Sequence, residues 1–241
     1  MSDYVIKVEN LVKKFGELVA VDNISFSVAA GEIFGFLGPN GAGKTTMIRM
    51  LANILRPTTG EAWVMGKRIP DEAVPSMIGY MPQETALYPD LSVHDNLAFY
   101  AGLYGLKKSR IAEREEDLLR FINLKKWKKT LVANLSGGMK HRVSLACSLM
   151  HEPMILFLDE PTVGVDPELR ESFWEYFAEL KSRNITVLMT THYMDEASHC
   201  DRVGLMREGR LVAEGTPKEL LRRTKTSSLE AAFMKFAKGA A

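Results

Sequence analysis

One stretch of nine residues has the types and spacing that bind phosphate. It consists of Gly38, Pro39, Asn40, Gly41, Ala42, Gly43, Lys44, Thr45 and Thr46. It fits G-x-x-x-x-G-K-[ST], the pattern of a phosphate-binding loop. The glycines let backbone N–H groups approach an anion, and a following helix adds free N–H groups and the positive end of its dipole. Lys44 is predicted to contact the β- and γ-phosphates of a nucleoside triphosphate, and the Thr45 hydroxyl to contact Mg²⁺.

Two adjacent carboxylates, Asp159 and Glu160, follow a second apolar stretch at residues 154–158. A carboxylate at the end of a buried strand can hold Mg²⁺ opposite Thr45, directly or through water, so this role is predicted for Asp159. Glu160 points differently and is predicted to activate a water molecule as a general base. Such a pair can also be a solvated corner of the surface, but the apolar residues before it and the phosphate-binding loop favour the chemical roles.

A third motif comprises Ser136, Gly137 and Gly138, which precede a helix predicted over residues 140–150. A serine and two glycines at a helix start can form a second anion site of free N–H groups. Taken alone, the motif favours a simple helix cap with a flexible lead-in. Because one nucleotide does not need two phosphate loops, the motif is either idle or serves a nucleotide bound by another subunit.

Strands that alternate with helices position these residues. This order predicts an α/β fold whose mostly parallel sheet binds ligands at the carboxyl ends of its strands. Residues 92–150 have helical spacing and few strand signals, which indicates a helical insert. Strands are predicted at 4–12, 18–28, 32–37, 61–65, 78–81, 154–158, 185–189, 202–206 and 210–213, and helices outside the insert at 46–51, 167–181, 194–200 and 227–238.

Composition excludes several classes of protein. The net charge of +1 over 241 residues gives no reason to expect nucleic acid as the main partner. The basic stretch 125–129 surrounds Trp127 and could bind nucleic acid or lipid, but a solvated helical connection is favoured. No apolar run is long enough to span a membrane, and the N-terminus lacks the features of a signal peptide. Cys147 and Cys200 are interpreted as buried thiols of a cytosolic protein.

With these motifs in this order, residues 5–217 resemble the nucleotide-binding subunit of an ATP-binding cassette (ABC) transporter. The resemblance implies a P-loop NTPase core, an N-terminal antiparallel β subdomain and a helical insert that carries the signature motif at Ser136–Gly138. It also implies that Phe15 stacks on adenine, that Gln83 lies near Mg²⁺, and that His192 contacts the γ-phosphate. Lys44, Glu160 and His192 are then the expected catalytic residues.

The expected domain limits follow from the same resemblance. Residues 1–83 and 152–223 form the ATP-binding core with the β subdomain, 84–151 the helical signature subdomain, and 224–241 a helical tail. Two positions depart from the family pattern: Met139 stands where the signature usually has Gln, and Val165 precedes Asp166 where Leu is usual. Both variants are similar to those of exporters whose permease is a separate polypeptide.

The resemblance also implies cofactors and partners. ATP and Mg²⁺ are the expected cofactors, and a second copy in a head-to-tail homodimer and a membrane permease are the expected partners, without nucleic acid. The chain is then expected on the cytoplasmic face of a membrane, where it powers export of drugs, antibiotics, lipids or ions. The alternative is a soluble ABC ATPase of iron–sulfur cluster assembly, which has a single cassette and binds a soluble scaffold.

Overall fold

A computed structural model describes residues 4–239 of the chain. The strands are β1 Tyr4–Phe15, β2 Leu18–Ala29, β3 Ile33–Leu37, β4 Thr59–Val64, β5 Lys67–Arg68, β6 Ile78–Met81, β7 Ile155–Asp159, β8 Thr186–Thr191, β9 Arg202–Arg207 and β10 Arg210–Gly215. The α-helices are α1 Lys44–Leu51, α2 Val74–Met77, α3 Val93–Leu103, α4 Lys108–Phe121, α5 Gly137–Leu149, α6 Pro167–Ser182, α7 Met194–Ala197, α8 Pro217–Thr224 and α9 Leu229–Gly239. Two 3₁₀ turns, Lys125–Trp127 and Val132–Asn134, lie between α4 and α5.

The N-terminal sheet is antiparallel, as predicted, with the strand order β2-β1-β4-β5. Alternating apolar residues of β1 point to one side, and Val8 pairs with Phe26 of β2 and with Ala62 of β4. All three side chains are buried. The alternation therefore explains why this sheet has one face against the core and one in water.

The central sheet has the order β10-β9-β3-β8-β7-β6. Its strands β9, β3, β8, β7 and β6 are parallel, and only the edge strand β10 runs antiparallel to its neighbour. Leu37 of β3 pairs with Thr191 of β8, and Asp159 of β7 pairs with Thr190. The loops after β3, β7 and β8 consequently begin at the same edge of the sheet, which confirms the predicted α/β class.

Apolar layers cover both faces of the central sheet, which explains why every residue of β3 and β7 is buried. One layer joins the sheet to α1 and the antiparallel sheet, where the rings of Phe26, Phe34 and Phe36 lie 5.0–5.5 Å apart. The other layer joins it to α3, α5, α6 and α9. The strands are thus held rigidly beneath the loops that follow them.

The helical insert between β6 and β7 contains α3, α4 and α5. Its basic stretch forms an exposed turn, as predicted, in which Lys125 pairs with Glu116 and Lys128 with Glu115 of α4. Cys147 and Cys200 are buried free thiols, which is also as predicted. Among residues 4–239, no helix combines the length and the apolar character needed to cross a membrane.

Two predicted helix boundaries are wrong by three residues, and the predicted starts of α1 and α9 are wrong by two. The helix predicted from residue 140 begins at Gly137, because Ser136 caps it and so places the two glycines in its first turn. The helix predicted over residues 194–200 ends at Ala197, because the N–H groups of Ser198, His199 and Cys200 bond three residues back instead of four.

Candidate functional site

The loop between β3 and α1 has the backbone of an anion-binding site. Gly43 has φ +97°, and a Cβ there would overlap the carbonyl oxygen of Ala20, so this position requires glycine. No side chain caps the first turn of α1, and no acidic residue lies in it. The free N–H groups and the positive end of the helix dipole therefore face the loop, as the sequence predicts.

The tip of the β9–β10 hairpin fixes this loop from the side. The N–H of Gly209 donates to the carbonyl of Ala42 at 3.1 Å, and the carbonyl of Gly209 accepts from the N–H of Asp22 on β2 at 2.8 Å. Gly38 N–H also donates to the carbonyl of Thr191 at 3.4 Å. Two distant parts of the chain, the hairpin tip and the end of β8, thus bond directly to the loop.

Lys44 points into its own loop. Its side chain is 4% exposed, and Nζ donates to the carbonyls of Gly38 at 2.8 Å and Pro39 at 3.1 Å. Nζ also lies 3.5 Å from Glu160 Oε1. Burial lowers the pKa of the Lys44 amine, and the nearby Glu160 carboxylate partly offsets that effect. The amine therefore lies at the loop, where an anion bound by the loop would be within its reach.

Asp159 has the geometry of a cation ligand. Its carboxylate is fully buried, and Oδ1 accepts from Thr45 Oγ1 at 2.9 Å and from Thr190 Oγ1 at 2.8 Å. Oδ2 is also buried but has no hydrogen-bond partner. A buried carboxylate oxygen without a partner is costly, and a hard divalent cation or its bound water satisfies it. The residues present therefore fit a divalent cation such as Mg²⁺ beside Thr45.

Three residues that the sequence predicts for the site surround the Glu160 carboxylate. Its φ of +50° turns the chain sharply after β7, and its N–H donates to Thr190 Oγ1 at 2.9 Å. Oε2 accepts from Gln83 Nε2 at 3.1 Å and lies 3.5 Å from His192 Nδ1, while Oε1 faces Lys44. The carboxylate is thus in a position to accept a proton beside the phosphate-binding loop.

A cleft of about 620 Å³ contains these groups. Phe15, at the end of β1, lines the cleft and is 47% exposed, and Lys13 Nζ lies 4.9 Å from the centroid of its ring. The volume and the aromatic wall suit a nucleotide with its base on Phe15. The cleft is lined by Phe15, Leu18, Val19, Ala20, Asn40, Gly41, Ala42, Gly43, Lys44, Thr45, Thr46, Gln83, Glu160 and Glu208.

The third motif does not reach this cleft. Ser136 and Gly137 are exposed and Gly138 is half-buried, and none of them lines the cleft. Ser136 Oγ accepts from the N–H of Met139 at 3.3 Å. The Met139 side chain packs against the apolar core. Methionine at this position, where the family usually has Gln, therefore leaves the Ser136 hydroxyl and the glycine N–H groups on the surface.

Sequence reasoning missed Thr190, the residue that connects Asp159 to Glu160. Its Oγ1 donates to the Asp159 carboxylate and accepts from the Glu160 N–H. The available signal was its position at the carboxyl end of a buried strand, two residues before His192. The pairing of β7 with β8, which a single sequence does not reveal, brings it to the site.

Comparison with known proteins shows the family of this chain. The sequence model of the family described as "ABC transporter" matches residues 21–163, more than half of the chain. This span includes the phosphate-binding loop, the Ser136–Gly138 motif and the Asp159–Glu160 pair.

Two relatives illustrate the similarity. "Probable multidrug ABC transporter ATP-binding protein YbhF" of Escherichia coli (strain K12) is 46% identical over 218 residues, which cover 90% of this chain and 38% of that protein. "Linearmycin resistance ATP-binding protein LnrL" of Bacillus subtilis (strain 168) is 40% identical over 221 residues, which cover 90% of this chain and 71% of that protein. The chain therefore spans less than half of the first relative and most of the second.

Solved structures share the fold over nearly the whole chain. One is described as "Structure of ATP binding subunit of ABC transporter" and superposes with a TM-score of 0.88 at 28% sequence identity. The superposition covers 97% of this chain and 99% of the chain in that structure. Another is the dimeric post-hydrolysis state of the ATP-binding cassette MJ0796 bound to ADP and Pi. It superposes with a TM-score of 0.80 at 25% sequence identity, over 88% of this chain and 98% of the chain in that structure.

Proposed function

The chain belongs to the ABC transporter family, and from that premise we propose that it binds ATP with Mg²⁺ in the cleft and hydrolyses it to drive a membrane permease. The observation that carries this proposal is the surroundings of Glu160. Its carboxylate lies beside the phosphate-binding loop and contacts Lys44, Gln83 and His192. A base, a cation and two polar side chains thus converge where a γ-phosphate and its attacking water need them.

The first set of proposed roles concerns binding. The loop backbone and Lys44 hold the phosphates, and Phe15 stacks on the adenine ring. Thr45, Asp159 and Gln83 hold Mg²⁺, which supplies charge neutralisation on the phosphate oxygens when bound. The hydrogen bonds that Asp159 accepts from Thr45 and Thr190 both reach Oδ1, so Oδ2 would be available to the cation.

The second set concerns the reaction. Glu160 takes a proton from the attacking water at one of its carboxylate oxygens, and His192 holds the water and the γ-phosphate in line. Positioning and neutralisation of charge supply most of the rate, so small changes in the distances around Glu160 have large effects.

A head-to-tail dimer completes the proposed site. Ser136–Gly138 lie on the surface and outside the chain's own cleft, which supports a role at the nucleotide of a second copy. Residues 84–151 then form the subdomain that presents this motif. The ATP-binding core consists of residues 1–83 and 152–223, and residues 224–241 form the tail. The structural relative MJ0796 is itself a dimer with ADP and Pi.

Export through a separate permease at the cytoplasmic face of a membrane is the proposed context. The relatives named above are a multidrug transporter protein and a linearmycin resistance protein, and both support this context. Neither is a protein of iron–sulfur cluster assembly, so that alternative is not favoured. The cargo belongs to the permease and lies outside this proposal.

Glu160→Gln tests the proposal. The amide cannot accept the proton, so ATP turnover by the purified chain with Mg²⁺ should fall at least about a hundredfold, the range typical for loss of a general base. ATP binding should persist, and light scattering should show a stable dimer with ATP. Glu152→Gln is the matched control, because Glu152 also has a positive φ, +57°, but pairs with Arg110 on the surface. Turnover by Glu160→Gln at the rate of the control contradicts the proposed role of Glu160.

A further inference from the structure

A buried carboxylate near the site has no role in the mechanism proposed so far. Glu196 lies on the short helix α7, and its side chain is 0% exposed. Buried carboxylates persist only where partners satisfy their oxygens and their charge. The groups around Glu196 therefore indicate what it does.

Two threonine hydroxyls donate to this carboxylate, one to each oxygen. Thr162 Oγ1 donates to Oε1, and Thr191 Oγ1 donates to Oε2 at 2.6 Å. Thr162 lies two residues after Glu160, and Thr191 immediately precedes His192. Both threonines are themselves buried. Glu196 thus links the segment that follows Glu160 to the segment that carries His192.

Arg170 on α6 supplies the opposite charge. Its Nε lies 3.6 Å from Glu196 Oε1, and its guanidinium lies 4.6 Å from the centroid of the Tyr193 ring. Thr191 Oγ1 also accepts from the N–H of Tyr193 at 3.0 Å. The carboxylate is therefore held from three directions, and the backbone beside His192 is held with it.

Strand pairing ends just before the two side chains, since Thr191 still pairs with Leu37 of β3 but neither Glu160 nor His192 belongs to a strand pair. The last residue pair between β7 and β8 is Asp159 with Thr190, so the pairing of these two strands stops before Glu160 and His192. Glu160 Oε2 and His192 Nδ1 lie 3.5 Å apart, too far for a strong hydrogen bond. The separation of the two side chains therefore depends on contacts beyond the sheet.

We infer that Glu196 is a positioning residue that holds the His192 segment at a fixed distance from Glu160. It does not line the cleft, and it acts through Thr162 and Thr191. The inference rests on the proposed ATP hydrolysis, in which Glu160 and His192 act on the same water and phosphate.

Glu196→Gln is the first variant for the test. The amide keeps the size of the side chain but has one acceptor atom instead of two, so one threonine hydroxyl loses its partner. Since a displacement of about 1 Å can cost up to about a hundredfold in rate, kcat should fall between about tenfold and a hundredfold while KM for ATP stays within about twofold. Glu115→Gln is the matched control, because Glu115 is also a buried carboxylate but pairs with His94 and Lys128 in the insert.

Two further measurements separate positioning from general stability. In a His192→Ala background, Glu196→Gln should cause no additional loss of kcat, because the side chain that it positions is already gone. Thr162→Val should reproduce the loss, and Thr162→Ser, which keeps the hydroxyl, should recover most of it. Full additivity with His192→Ala, or equal losses in Glu115→Gln, overturns the inference.

Hydrogen exchange distinguishes failure of this inference from failure of the proposed function. The segments 161–166 and 191–197 should exchange faster in Glu196→Gln than in the wild type, whether or not the chain turns over ATP. Absence of Mg²⁺-dependent ATP turnover in the wild type refutes the proposed function alone. Unchanged exchange in both segments refutes the role of Glu196 alone.

Discussion

Thr190→Val should destabilise the chain far more than the same substitution four residues earlier in the strand. Thr190 Oγ1 donates to the charged Asp159 carboxylate at 2.8 Å and accepts from the buried N–H of Glu160 at 2.9 Å. Valine has nearly the same shape but replaces the hydroxyl with a methyl group. The variant therefore loses one hydrogen bond to a charged group and leaves one buried N–H without a partner.

The expected magnitude follows from these two losses. A hydrogen bond to a charged group contributes about 1.5 kcal/mol or more, and an unsatisfied buried N–H costs a similar amount, so the free energy of unfolding should fall by about 3 kcal/mol. For a chain of this size, that corresponds to a decrease in Tm of roughly 6–12 °C. The loss should also weaken Mg²⁺ binding, because Asp159 keeps only Thr45 as a donor.

Thr186→Val is the control for this measurement. Thr186 lies on the same strand and is equally buried, but its hydroxyl accepts only from the half-buried N–H of Gly31 at 2.9 Å. Loss of one neutral hydrogen bond costs about 1 kcal/mol, or roughly 2–4 °C in Tm. Thermal unfolding of both variants, followed by circular dichroism without nucleotide, provides the comparison. Equal decreases in Tm would refute the argument that Thr190 supports the two carboxylates.

Two other predictions concern the base-binding wall and the buried thiols. Phe15→Ala should raise the Kd for ATP by about tenfold in a fluorescence titration, which is in the lower range for the loss of one base–aromatic stack. Tyr4→Ala is the control, because Tyr4 lies at the other end of β1 and is also 47% exposed, and it should leave the Kd unchanged. Equal Kd values in both variants contradict the stacking role. Burial raises the pKa of the Cys147 and Cys200 thiols, so they stay neutral in the folded chain while the unfolded chain ionises above about pH 8.5. The free energy of unfolding should therefore decrease as the pH rises from 8 to 10, and less steeply in a double Cys→Ala variant; equal slopes in urea titrations contradict this cause.

The sequence predicts well those features that depend on neighbouring residues. The phosphate-binding loop is continuous in the chain, and each of its residue types has a local reason, such as the positive φ of Gly43. The apolar stretches before Gly38 and before Asp159 are both strands of the central sheet, because parallel strands buried on both faces are apolar throughout. The order of strands and helices likewise indicates the fold class.

Features that depend on distant pairs are harder to predict. The contact of Gln83 with Glu160 and the position of Thr190 follow from the neighbours of β7 in the sheet, and periodicity carries no information about strand order. The predicted start of α5 is wrong for a different reason. Two glycines are poor helix formers, yet the cap made by Ser136 places them in the first helical turn.

The hairpin tip at Gly209 has a consequence for synthesis of the protein. It bonds to the phosphate-binding loop and to β2, although more than 160 residues separate it from either in the chain. β3, which leads into the loop, also has both of its sheet neighbours in the last quarter of the sequence. A nascent chain that ends before Gly209 therefore lacks the contacts that shape the loop, and a ribosome-bound chain should acquire nucleotide-dependent protease resistance only after that residue has left the exit tunnel.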